Sequence, residues 1–179
     1  DHNEQTVRVL TQLEQRYAGF NGLNLSWETL EGVVKHHGAI KDRSSLRPAI
    51  IAVDKAMDLQ LEAHSSAEAQ LANLADDIAY LSHDFDDALR AELFHIDDIL
   101  SLPQVGKALA DIESRHGKLE LGRVTHELVR RLISVFVEDM LAVSTINLAA
   151  LNAKTVDDIR GHTKPVIGFS PEMAADLEG

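Results

Sequence analysis

Apolar residues along this chain recur at steps of three and four rather than two, the spacing that lines one face of an α-helix. The clearest run is Leu71, Leu74, Ile78, Leu81, Phe85 and Leu89, preceded by Ser65-x-x-Glu68 at the spacing of a capping box. This pattern predicts a helix of about 25 residues with a single apolar stripe. A second long helix is predicted from about Gly122 to Leu151, where Val124, Leu128, Leu132, Val135, Phe136, Val143 and Ile146 are apolar around much of the circumference. Such breadth predicts a central, well-buried element. Shorter helices are predicted at about Glu4 to Tyr17, at Ser26 to His37 with Gly38 as the stop, and at Gln104 to His116 with Gly117 as the stop.

Between these runs, Lys41 to Pro48 is polar and reads as a surface loop. Lys164-Pro165-Val166-Ile167-Gly168-Phe169 reads as extended, and Ser170-Pro171-Glu172 carries a cap followed by proline, the signature of a helix start. That last helix is cut short about two turns on, which suggests a partial polypeptide. No internal repeat, low-complexity tract or period-two alternation is present, so the expected class is all-α.

Composition narrows the picture further. The 179 residues are 45% hydrophobic and 26% charged, the usage of a folded globular chain. A formal charge of -12 repels phosphate backbones, and 4% aromatics leave little for base-stacking platforms, so double-stranded nucleic acid is not an expected partner. A small anion remains compatible, because a divalent cation bound by carboxylates reverses the local field. The absence of Cys excludes thiol catalysis, zinc ribbons and disulfides and fits a reducing cytoplasm. The densest apolar run, Leu132 to Val137, is shorter than a membrane span, so no membrane association is expected. The chain has no signal-peptide pattern and starts at Asp1-His2-Asn3 without Met, so processing, truncation or further residues upstream are expected.

The candidate chemistry lies on the first long helix. Opposite its apolar stripe, Asp76, Tyr80, Asp84 and Asp87 follow at steps of four, four and three, and with Asp77 and Asp86 they gather five carboxylates in about three turns. Like charges at that spacing cost a few tenths of a kcal/mol per pair. Either the face is simply solvated, or it holds a cation or ligand; Ala72, Ala75 and Ala79 beside it leave room for a close approach. Lys35-His36-His37-Gly38 sits at a helix end, where cations are favoured anyway, and Arg130-Arg131 suits either phosphate or a surface ion pair. No Walker loop, G-x-S-x-G or H-E-x-x-H occurs.

Several segments together resemble the bacterial deoxyguanosinetriphosphate triphosphohydrolase-like proteins of the HD-domain superfamily. They are His2-Asn3-Glu4-Gln5 with Arg8-Val9-Leu10; Gly22 to Gly32 leading into Lys35-His36-His37-Gly38; Ala75-Asp76-Asp77-Ile78-Ala79-Tyr80 with His83-Asp84; His126-Glu127 with Arg130-Arg131; and Phe169 to Met173. The resemblance spans most of the chain, and Asp-Asp-Ile-Ala-Tyr is its most specific part.

The resemblance implies an HD-domain helical bundle with long central helices, of which residues 1–179 form part of a single domain. It implies metal-dependent hydrolysis of deoxynucleoside triphosphates to deoxynucleoside and inorganic triphosphate in a cytoplasmic homo-oligomer. A divalent ion such as Mg²⁺ or Mn²⁺ would be the cofactor. Asp76 matches a metal ligand, Tyr80 a residue limiting room at the 2′ position, and Asp84 an acceptor from the 3′-hydroxyl. Asn3 and Lys35 would approach the substrate, Lys35 through its phosphates, and His2 would lie at the catalytic centre. His83-Asp84 is a His-Asp pair in spelling only. The family's first metal His and its His-Asp pair have no counterpart here and are expected upstream of residue 1. The alternative is a non-catalytic nucleotide-binding or regulatory module.

Overall fold

A computed structural model describes residues 2–178, with eight α-helices and no strand among them. In chain order the helices are α1 (His2–Arg8), α2 (Trp27–Val34), α3 (Pro48–Met57), α4 (Ala67–Arg90), α5 (Pro103–His116), α6 (Leu121–Leu151), α7 (Val156–Arg160) and α8 (Pro171–Glu178). The expected all-α class is what the chain adopts. Two compact units divide it: one comprises the chain up to Asn73 together with Leu148–Val166, the other Leu74–Asn147 together with the segment from Ile167 onward.

In the first unit, α1 runs into a π-helical turn at Val9–Leu13, ending four residues before the expected Tyr17. The chain then doubles back: Gly22 N donates to the Glu14 carbonyl at 2.7 Å and Leu23 N to the Leu10 carbonyl at 2.8 Å. Gly22 takes φ +79° there, and a Cβ would lie 2.6 Å from the Thr11 carbonyl carbon. Ser26 caps α2 by accepting from Thr29 N, and the helix stops at Val34, three residues short of His37. Pro48 opens α3, whose existence the weak apolar pattern around Ile50 and Val53 did not announce. Val7, Leu30, Val34, Ile50, Leu59 and Leu61 form the core of this unit. Trp27 Nε1 donates to the Met57 carbonyl at 3.0 Å, fastening α2 to the end of α3.

The start of α4 differs from the expected capping box by one residue. Ser66 rather than Ser65 supplies the cap, its Oγ accepting from Ala69 N at 3.3 Å. In the second unit, Ile78, Val105, Ala108, Ile112, Leu128, Leu132, Phe136 and Met140 are buried. The Phe169 ring meets Phe136 edge-on at 6.5 Å. The Ser144 hydroxyl accepts from Gly168 N at 3.2 Å, and Asp139 from Ser170 N at 2.8 Å. The segment from Lys164 to Phe169 therefore runs without a strand partner and leads into α8, whose Ser170 cap accepts from Met173 N at 3.1 Å.

One expectation about α6 needs correction. An 18-residue window within Leu121–Leu151 is apolar enough to cross a membrane by length and composition alone, a property that core helices of folded proteins share. The run Leu132–Val137 is broken by Glu138-Asp139 before apolar residues resume at Met140-Leu141, which hides its length from a search for unbroken apolar sequence. Only 22% of that window is buried, so α6 is not the well-buried element that its breadth of apolar residues predicted. Its buried line is Thr125, Leu128, Leu132, Phe136, Met140 and Ser144, one residue per turn, while Leu141 and Ile146 are exposed.

Candidate functional site

Of the residues expected to carry chemistry, His2, Asn3 and Lys35 belong to the first unit, and Asp76, Tyr80 and Asp84 to the second. Each group has its own geometry.

In the first unit, His2 is exposed on the opening turn of α1, its carbonyl accepting from Thr6 Oγ1. Asn3 is half-buried, and its Nδ2 donates to the Val34 carbonyl at 2.8 Å, tying α1 to the end of α2 beside Lys35. Lys35 has no exposed side-chain surface. Its ammonium donates to Glu31 Oε1 at 3.0 Å, one helical turn back, and lies 3.5 Å from the His64 carbonyl. Burial pushes this ammonium below the ordinary lysine value of 10.5, with the hydrogen bond and charge of Glu31 opposing. In this position Lys35 presents nothing to a phosphate.

Glu31 is equally buried and is gripped by Arg160, whose Nε donates to Oε1 at 2.9 Å and whose Nη2 donates to Oε2 at 2.8 Å. Arg160 also bonds Asp157 and lies 4.6 Å over the Trp27 ring. Its hydrogen bonds to Glu31 raise its pKa, outweighing burial. The circuit closes through the backbone, because His64 N donates to the Arg160 carbonyl at 3.0 Å. Sequence reasoning could see Glu31 and Lys35 at four-residue spacing. It had no signal for Arg160, which joins them from 129 residues away.

In the second unit, Asp76, Tyr80 and Asp84 line one ridge of α4, opposite the buried Ile78 and Ser82. Asp76 is half-buried, Asp84 exposed and Tyr80 67% exposed, so the ridge offers an open phenol between two carboxylates. Among the described residues no three His, Asp or Glu side chains gather as a metal site. A hydrolytic divalent ion needs several donors, and Asp76 alone does not make that set. Beside the ridge, Arg90 Nε donates to Asp86 at 2.7 Å and Arg90 Nη2 lies 3.4 Å from His126 Nε2. Arg130 pairs with Glu127 at 2.5 Å and Arg131 with Asp111, so both arginines form ion pairs within the chain. The Arg130 bond is the main reason that Glu127 stays below the usual carboxylate range.

No family model matches the chain. It is 47% identical over 182 residues to a deoxyguanosinetriphosphate triphosphohydrolase-like protein of Azorhizobium caulinodans, covering 97% of this chain and 46% of that protein. Relatives of the same name from Paracoccus denitrificans (46% identical, 99% of this chain and 47% of the relative) and Caulobacter vibrioides (45%, 99% and 45%) match as fully. The chain belongs to the deoxyguanosinetriphosphate triphosphohydrolase-like family. It spans about half the length of the curated relatives it matches.

Proposed function

We propose that this chain is part of a hydrolase that splits deoxynucleoside triphosphates into a deoxynucleoside and inorganic triphosphate. The observation carrying this reading is the 47% identity, across nearly the whole chain, to a protein named deoxyguanosinetriphosphate triphosphohydrolase-like. In the reaction a water oxygen bonds to the α-phosphorus, the bond from that phosphorus to the sugar O5′ breaks, and a proton passes to O5′. A divalent ion, when bound, activates the water and offsets charge growing on the phosphate.

Within this chain, Asp76 is proposed as one carboxylate ligand of that ion; the rest of a ligand set is not among the described residues. Tyr80, one turn on, would stand against the sugar where a 2′-hydroxyl would lie, and Asp84, a further turn on, would accept from the 3′-hydroxyl. Helical rise supports the order, since the three side chains stand about 6 Å apart along one face. Asn3 is proposed beside the substrate and His2 at the catalytic centre, where an exposed imidazole can donate or accept a proton. Lys35 can serve phosphates only if its ammonium leaves Glu31. A cytoplasmic homo-oligomer is proposed with this activity.

The test is incubation of the purified protein with each deoxynucleoside triphosphate and Mn²⁺, separating triphosphate from pyrophosphate and phosphate. Release of triphosphate, lost in Asp76→Ala, is the expected result; turnover unchanged in that variant refutes the role of Asp76. The incomplete donor set favours a second reading, a nucleotide-binding module without turnover. Thermal stabilisation by a deoxynucleotide and Mn²⁺ with no product would select it.

A further inference from the structure

A cavity of about 140 Å³ lies inside the second unit, walled by α4, α5, α6 and α8. Phe85, Val105, Val129, Leu132 and Phe136 form its apolar interior, and of these Val105, Leu132 and Phe136 are buried. Three of the twelve lining residues are polar, and each already has a partner within the chain. Ser82 Oγ donates to the Ile78 carbonyl at 2.6 Å, and Gln104 Nε2 donates to Asp176 Oδ2 at 2.8 Å. A water molecule needs roughly two to four polar partners, so these walls suit it poorly. Where the cavity meets solvent stand Leu81, Leu102 and Leu177, which are 42%, 44% and 38% exposed. Large apolar side chains left in water around a concave opening mark a surface that a ligand covers.

We propose that this cavity binds a small uncharged apolar molecule, an aromatic ring or compact hydrocarbon of about six to eight heavy atoms. Size sets the upper limit: a cavity of about 150 Å³ lined by Leu, Ile and Phe takes up benzene. Wall chemistry sets the class. Phe85 from α4 and Phe136 from α6 offer an aromatic ligand the offset and edge-to-face contacts that such rings prefer. The polar groups are engaged in bonds within the chain, so a polar ligand would give up its hydration with little compensation. The Asp176 carboxylate disfavours an anion in particular. Leu81 and Phe85 follow Tyr80 and Asp84 by one residue each, about 100° around α4, so the site lies beside the acidic ridge and is independent of the hydrolase reading. An occupant would touch four helices at once and so stabilise this unit.

The experiment titrates the purified protein with benzene and follows its methyl signals by NMR alongside thermal unfolding. Saturable shifts of the Val105, Val129 and Leu132 methyls are expected, with Kd of order millimolar or below, and Tm should rise by about 3–5 °C at ten times Kd. Benzoate, the same ring with a carboxylate, should produce neither effect. Val129→Phe, which fills the cavity from α6, should abolish binding. Val129→Ile, larger by one methylene and more easily accommodated, should weaken it about threefold. Benzene shifts that do not saturate, or that spread evenly over the protein's methyls, would overturn the inference. Equal binding of benzoate, or undiminished binding in a folded Val129 variant, would do the same. So would self-association that Leu102→Glu abolishes while benzene moves nothing, because the exposed leucines then face a second copy of the chain. No nucleotide or metal enters these measurements, so release of triphosphate bears on the hydrolase reading alone.

Discussion

Arg160 holds Glu31 by two parallel bonds of 2.9 and 2.8 Å, and Glu31 in turn holds Lys35 at 3.0 Å. All three residues are buried, and the two cations share one carboxylate that water does not reach. Removing that carboxylate strands the Lys35 ammonium and leaves Arg160 with Asp157 alone. Glu31→Gln is therefore expected to destabilise the protein by about 3–5 kcal/mol in urea denaturation. Replacing all three by apolar residues of similar size should recover most of the loss, because no charge is then left without a partner. A Glu31→Gln variant within 1 kcal/mol of wild type would show that the cluster is open to water (about the worth of an exposed pair).

The lowered pKa of Lys35 makes a pH prediction of definite sign. Between its lowered folded value and the ordinary 10.5, the folded protein has released this proton while the unfolded chain retains it. The unfolded state then binds more protons, so stability attributable to Lys35 rises with pH through that window and is flat below it. Wild type should gain on Lys35→Met as pH is raised from neutral toward 10.5 in chemical denaturation. A gap that stays constant would place the ammonium in solvent, and one that moves the other way would mean that Glu31 outweighs burial.

Tyr80 separates function from folding. Its ring is 67% exposed, so Tyr80→Ala should change stability by no more than about 0.5 kcal/mol. Discrimination between deoxyribo- and ribonucleotides, read as the ratio of their binding constants, should fall. Unchanged discrimination with unchanged stability would remove Tyr80 from the sugar site.

Gly22 tests the backbone rather than a side chain. At φ +79° its added Cβ would meet the Thr11 and Leu10 backbone at 2.6–2.7 Å, and no flexible group there can yield. Gly22→Ala is expected to cost about 1–3 kcal/mol or more, read as a lowered urea midpoint. Neutral behaviour would mean that the return of the chain onto α1 is not tight.

Local pattern announced the elements whose signals are local. The stripe from Leu71 to Leu89 became α4, Gly117 stopped α5 at φ +68°, and Ser170-Pro171 opened α8. It failed where the deciding contact is distant or the pattern short. Ten-residue α3 has too few turns to show a period, and Ser66 displaced Ser65 as the α4 cap by one residue. For the candidate site, the ridge of Asp76, Tyr80 and Asp84 was legible because helical spacing alone aligns it. The burial of Lys35 was not, because it depends on partners supplied by other parts of the fold.

By itself, then, the sequence determined the all-α class, the long helices and the carboxylate face of α4, since each follows from which residues lie three or four positions apart. Tertiary structure alone decided which charges are sealed in and which faces stay open. Arg160 reaches Glu31 across 129 residues, Lys35 loses its access to solvent, and much of apolar α6 remains uncovered. The physical reason is that burial and ion pairing depend on what other segments bring to a surface, and helical periodicity specifies only the surface.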